Sequence, residues 1–180
     1  MTPDRSYIVQ TLRELVAINS INPALSDGAT SERGAAERIA ELAHALGLEV
    51  QLLEFAPGRT SVIATLRGTG GGRSLMLNGH IDTVGVAGMA TPFEPREHDG
   101  LMFGRGTYDM KGGVAACLGA LKSLRDADVL LQGDIVLTAV ADEETESRGM
   151  QQVLEHVRTD AAIVTEATEL DVCVAHKGFC

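Results

Sequence analysis

The sequence predicts an α/β domain built on a largely parallel sheet, and three observations carry that prediction. Apolar runs of strand length alternate with longer stretches whose apolar residues return at helical spacing. Strands that alternate with helices pair in parallel more readily than strands joined by tight turns. Finally, three segments bearing histidine or carboxylates each stand just after an apolar, strand-like run, and strand ends of an α/β sheet are where ligand sites gather.

The elements follow in order. Thr2-Pro3 suits a helix start, with Thr as cap and Pro in the first turn, and Ile8, Leu12, Leu15 and Val16 make one apolar face as far as Asn19. Asn22-Pro23 through Thr30 is loop. A second helix opens near Ser31, turns Ala35, Ile39, Leu42, Ala43 and Leu46 inward, and stops at Gly47. His44 lies beside that face and has no ligand partner at useful spacing. Leu48 to Phe55, Ser61 to Leu66 and Ser74 to Leu77 are expected strands. The glycine run from Gly68 to Arg73 lacks the Gly-Lys-Ser/Thr ending of a phosphate-binding loop and precedes a strand, so it is expected to be a flexible hairpin turn. Residues 83 to 103 form a long loop with an exposed His98. Met110, Val114, Cys117, Leu118, Leu121 and Leu124 repeat at helical spacing. Asp134 to Ala141 is a buried strand, and Met150, Val153, Leu154 and Val157 mark a helix capped by Ser147. Ala161 to Val164 is a strand, and another begins at Asp171 to Ala175. No internal repeat or interdomain linker is visible.

Composition narrows the function. The 180 residues are 44% hydrophobic and 22% charged, ordinary for one globular domain with a substantial core. Aromatics make up 3% with no Trp, and the formal net charge is −10. That balance argues against nucleic-acid binding, which needs clustered Lys and Arg. No apolar run approaches the roughly 20 residues that span a bilayer. Cys117, Cys173 and Cys180 form no CxxC pair, which fits reduced thiols and a cytoplasmic location.

The chemistry centres on Gly104-Arg105-Gly106-Thr107-Tyr108-Asp109-Met110-Lys111-Gly112-Gly113. Asp109 precedes a helix and could serve as its cap. The two glycines suggest something more, since they let backbone pass close to another element. As a carboxylate with two oxygens, Asp109 could also bridge two metal ions roughly 3.5–4 Å apart. His80 and Asp82 are two residues apart, so the imidazole could bind a metal while Asp82 orients it. Glu143 and Glu144 follow a buried strand and point in opposite directions, which suits them to different tasks. Glu166 ends the next strand. One imidazole with several carboxylates is a nitrogen and oxygen donor set suited to zinc or a similar divalent ion.

Four motifs carry a resemblance: Gly79-His80-Ile81-Asp82-Thr83-Val84, Gly104-Arg105-Gly106 through Asp109-Met110-Lys111-Gly112-Gly113, Asp142-Glu143-Glu144, and Glu166-Ala167-Thr168. Together they resemble the dinuclear zinc amidohydrolases that include acetylornithine deacetylase, succinyl-diaminopimelate desuccinylase, aminoacylase and glutamate carboxypeptidase. The similarity covers nearly the whole chain. It implies a three-layer α/β/α catalytic domain, two divalent metal ions (zinc before cobalt), and His80 and Glu166 on one ion with Glu144 on the other. Asp109 would bridge both, followed by a cis peptide to Met110. Asp82 would support His80, and Glu143 would be the general base of amide hydrolysis. The substrate implied is an N-acyl amino acid or short peptide, and longer relatives are expected to be homodimers.

Two departures accompany the match. The family completes its second metal with a histidine far along a longer chain, a position His176 does not occupy, and it inserts a lid and dimerisation domain after the region matched here. Residues 1–180 are therefore expected to be the N-terminal portion of a catalytic domain, with one metal site intact. Ala175-His176-Lys177-Gly178 leans toward the acetylornithine deacetylase branch. A dipeptidase or carboxypeptidase and a non-catalytic metal-binding fragment are the alternatives. A nucleotide-binding reading of Gly104-x-Gly106 fails at its third glycine, because position 109 is Asp.

Overall fold

The computed structural model describes residues 2–26 and 29–174. The elements run α1 (Arg5–Ala17), α2 (Arg33–Ala45), β1 (Glu49–Ala56), β2 (Arg59–Leu66), β3 (Leu75–His80), β4 (Arg96–His98), β5 (Leu101–Phe103), α3 (Gly112–Asp126), β6 (Ile135–Val140), α4 (Arg148–His156) and β7 (Ala161–Val164). Five strands form one sheet in the order β1-β2-β6-β3-β7. β3 pairs in parallel with β6 and with β7, whereas β2 pairs antiparallel with β1 and with β6. Four strands therefore run one way and β2 alone runs against them.

The period-two alternation of the strands decides the layers. On one face Val62, Ala64, Leu66, Leu77, Leu137 and Ala139 pack against Leu15 of α1, Ala36 and Ile39 of α2, and Leu118 and Leu121 of α3. On the other, Leu53, Ile63, Val136 and Val140 pack against Val153 of α4. The expected α/β/α sandwich is present. No helix among the described residues is long and apolar enough to cross a membrane.

Several local expectations are corrected. α1 begins at Arg5 because Asp4, not Thr2, caps it, its Oδ1 accepting from Tyr7 N at 3.1 Å. α2 starts at Arg33, after Glu32 turns inward to meet Arg59. The glycine run after β2 is no hairpin, since β6 inserts between β2 and β3. Instead Thr69, Gly70 and Gly72 donate backbone N–H groups to the carbonyls of Leu131 and Gln132. A Cβ on Gly68 or Gly72 would collide with the backbone of Gly133 there. The loop from 83 to 103 contains the small hairpin β4–β5, and its turn, Asp99-Gly100, holds both residues at positive φ (50° and 79°). Ser147 stands at the start of α4 with φ 54° and makes no side-chain cap. Asp142 replaces it, its Oδ2 accepting from Arg148 N at 3.3 Å. Residues 171–174 are not a strand, and Ala175 to Cys180 lie outside the described residues. His98 is exposed, as expected, and so is His44.

Leu118 is fully buried and Leu130 is 87% exposed. Leu118→Ala should cost about 2–5 kcal/mol of unfolding free energy, and Leu130→Ala less than about 0.5 kcal/mol, both read from urea denaturation.

Candidate metal centre

Parallel pairing brings the C-terminal ends of β3, β6 and β7 to one edge of the sheet. β3 ends at His80, β6 leads into Asp142-Glu143-Glu144, and β7 leads into Glu166. Asp109 arrives from the irregular turn Thr107–Lys111 that precedes α3. Within it Asp109 and Met110 leave helical angles (φ −118°, ψ 103° and φ −130°, ψ 34°) and are joined by the cis peptide that the resemblance implied. The glycines behind them serve as expected. A Cβ on Gly113 would run into the Thr165 carbonyl oxygen and one on Gly112 would press on that of Thr107, so α3 begins flush against the end of β7. Lys111 closes the turn from inside, its buried Nζ donating to the carbonyls of Leu15 and Ile18, both at 2.9 Å.

His80 is the hub. Its Nε2 lies 2.8 Å from Asp109 Oδ1, 3.5 Å from Glu166 Oε1 and 3.7 Å from Glu143 Oε2. Ligand atoms of His80, Asp109 and Glu166 all lie within 4.8 Å of one another, so the three can hold one metal ion. The donor chemistry fits such an ion: one nitrogen and two carboxylate oxygens around a point where positive charge is favoured. Burial alone lowers the basicity of His80, but Asp82, Glu166 and Glu143 outweigh it and push the imidazole up to about 10. His80 Nδ1 is 2.9 Å from the Asp82 backbone carbonyl, which can only accept, so Nδ1 carries hydrogen and Nε2 is the atom left to face a metal.

Asp82 holds His80 by this carbonyl, whereas its carboxylate Oδ1 lies 3.6 Å from Nδ1. The buried carboxylate has another task. Oδ1 accepts the N–H of Glu143 at 3.0 Å, and Oδ2 accepts those of Glu144 at 3.1 Å and Asn22 Nδ2 at 2.8 Å. Burial would raise the Asp82 pKa, but the neighbouring His80 imidazole and the hydrogen bonds from Asn22 and Glu144 N hold it below the usual carboxylate range.

Glu144 is not in the three-residue group. It stands within electrostatic reach of Asp109, Asp82 and Glu143, and burial together with these like charges pushes it up to about 7. Burial raises Glu166 as well. Asn22 and Arg59, which the sequence reading left unassigned, join this edge through Asp82 and Asp142.

The model of peptidase family M20/M25/M40 matches residues 76–176. The chain is 36% identical over 157 residues to an N-formyl-4-amino-5-aminomethyl-2-methylpyrimidine deformylase of Halalkalibacterium halodurans, covering 83% of this chain and 37% of that protein. It is 37% identical over 177 residues to an acetylornithine deacetylase of Salmonella paratyphi B, covering 94% and 45%. An M20 family metallo-carboxypeptidase from Sulfolobus solfataricus shares the fold at a TM-score of 0.74 and 22% identity, over 90% of this chain and 37% of that one. The chain thus spans less than half the length of each of these relatives.

Gly113→Ala should cost about 1–3 kcal/mol, the range of overpacking, because α3 must retreat from Thr165. Zinc affinity, measured by equilibrium dialysis, should fall with it as Glu166 moves from Asp109.

Proposed function

The chain belongs to peptidase family M20/M25/M40, and from that premise we propose that it carries the metal-binding edge of an enzyme hydrolysing the amide bond of an N-acyl amino acid or a similarly short acyl amine. The observation behind this reading is the convergence of Asp109, Glu166 and Glu143 on His80 Nε2 within 3.7 Å. His80, Asp109 and Glu166 would hold one divalent ion, and Asp109 together with Glu144 would serve a second. Zinc is the metal proposed first, from the imidazole and carboxylate donor set, and cobalt second. When bound, such ions would polarise the scissile carbonyl and acidify a water.

The chain's own residues handle position and protons. Asp82 keeps hydrogen on His80 Nδ1 and aims Nε2 outward. Through the N–H groups of Glu143 and Glu144 it also fixes the backbone from which those side chains diverge. Glu143 is near the ligand atoms yet 45% exposed, so its carboxylate can accept a proton from the attacking water and return it to the departing amine. Short acyl groups are favoured because the deacetylase and deformylase relatives release acetyl and formyl groups. We place the protein in the cytoplasm, a compartment in which the free thiols of Cys117 and Cys173 stay reduced.

The test pairs Glu143→Gln with His80→Ala. Amine release from N-acetyl and N-formyl substrates should fall at least ~100-fold in Glu143→Gln, the scale of losing a general base, with zinc content by elemental analysis unchanged. His80→Ala should lose both zinc and hydrolysis. Equal rates in Glu143→Gln and the parent protein would remove Glu143 from its role.

A further inference from the structure

Behind the acidic edge lies a second polar network that the chemistry above does not use. β2, the reversed strand, delivers its first residue to the edge where β3, β6 and β7 deliver their last. Continuing the register that pairs Val62 with Ala139 sets Arg59 beside Asp142. Arg59 Nε donates to both oxygens of Glu32 at 3.0 and 2.8 Å, and Nη2 donates to Asp142 Oδ1 at 2.6 Å and to Asn22 Oδ1 at 3.1 Å. Asn22 comes from the loop after α1, anchored where its N–H donates to the Thr83 carbonyl.

Asn22 is fully buried, and its partners leave its amide one orientation. Oδ1 faces two donors, Arg59 Nη2 and Ala24 N. Nδ2 faces acceptors, Asp82 Oδ2 at 2.8 Å, Thr145 Oγ1 at 3.2 Å and Asp142 Oδ1 at 3.3 Å. Glu32, Asp82 and Asp142 are thus three buried carboxylates, at 0%, 0% and 2% exposure, around one guanidinium. That guanidinium contacts Glu32 and Asp142 but makes no ion pair with Asp82. Asn22 is the neutral donor standing between Asp82 and Asp142. Without its NH2 the two carboxylates would face one another, and Asp82 would lose one of the three bonds that aim it.

We propose that Asn22, oriented by Arg59, is a positioning residue: it fixes the Asp82 carboxylate, which in turn clamps the backbone of Glu143 and Glu144. The consequence for catalysis rests on the roles proposed above for those two glutamates, whereas the positioning itself does not. Neither residue is among those proposed above to hold a metal or move a proton.

Amide hydrogen exchange read by NMR on the metal-free chain tests the positioning directly. In Asn22→Ala the Glu143 and Glu144 N–H groups should exchange about 10-fold faster or more, as loss of a hydrogen bond implies. Leu118 and Leu137 amides in the core should be nearly unchanged. Arg59→Lys, which keeps the charge but lacks the fork that spans Glu32, Asn22 and Asp142, should give the same local pattern more weakly, and it serves alone if Asn22→Ala does not fold. Unchanged exchange at Glu143 and Glu144, or uniform acceleration throughout the chain, would overturn the proposal. Calorimetric titration of the same variants with zinc alone should show weaker binding. Local loosening with zinc affinity intact would uphold the positioning and instead sink the assignment of Glu144 as a ligand.

Discussion

The parallel pairing of β3 with β6 and β7 is the constraint on which the rest depends. It gathers three strand ends at one edge, and those ends are acidic apart from His80. Like charges so close to one another repel. Two things hold them in place. Backbone donors and neutral side chains take up lone pairs, as at Asp82 and Asp142, and the remaining negative charge converges on one imidazole nitrogen. A sheet whose strand ends pointed apart would need neither device, and would not bring His80, Asp109 and Glu166 together.

The features legible in the sequence were those with short-range signals. The strands and helices of the core follow from apolar periodicity, and Gly47 at φ 76° ends α2 where a C-terminal glycine should. His80, Asp109, Glu143 and Glu166 stand out in the sequence because each follows a recognisable local cue, a strand end or a turn ahead of a glycine-rich helix start, and the parallel pairing then brings them together. The Asp99-Gly100 turn carries such a local signal too, since paired positive φ angles favour that dipeptide, yet the hairpin lies inside a stretch expected to be loop throughout.

What could not be read was long-range. Nothing near Arg59 says that β2 runs backwards, so nothing says that its guanidinium meets Asp142. Nothing near Asn22 says that its amide faces a carboxylate sixty residues away. The task of Asp82 was similarly half visible: spacing pointed to His80, whereas its carboxylate serves the amides of Glu143 and Glu144. The insertion of β6 between β2 and β3 has the same character, since strand order depends on which edges remain free once the crossovers have formed.

The reversal of β2 also makes the sheet check its own alignment. Side chains alternate faces along a strand, so a slip of one residue against β6 would turn Val62, Ala64 and Leu66 away from α1–α3. The same slip would swing Arg59 to the opposite face and leave Glu32 and Asp142 buried without their cation. Misalignment would therefore disrupt the apolar packing and the buried charges at once. The register of β2 and the polar ground beneath the candidate metal centre thus depend on each other through a single arginine, at the start of the one strand of the five-stranded sheet that runs the other way.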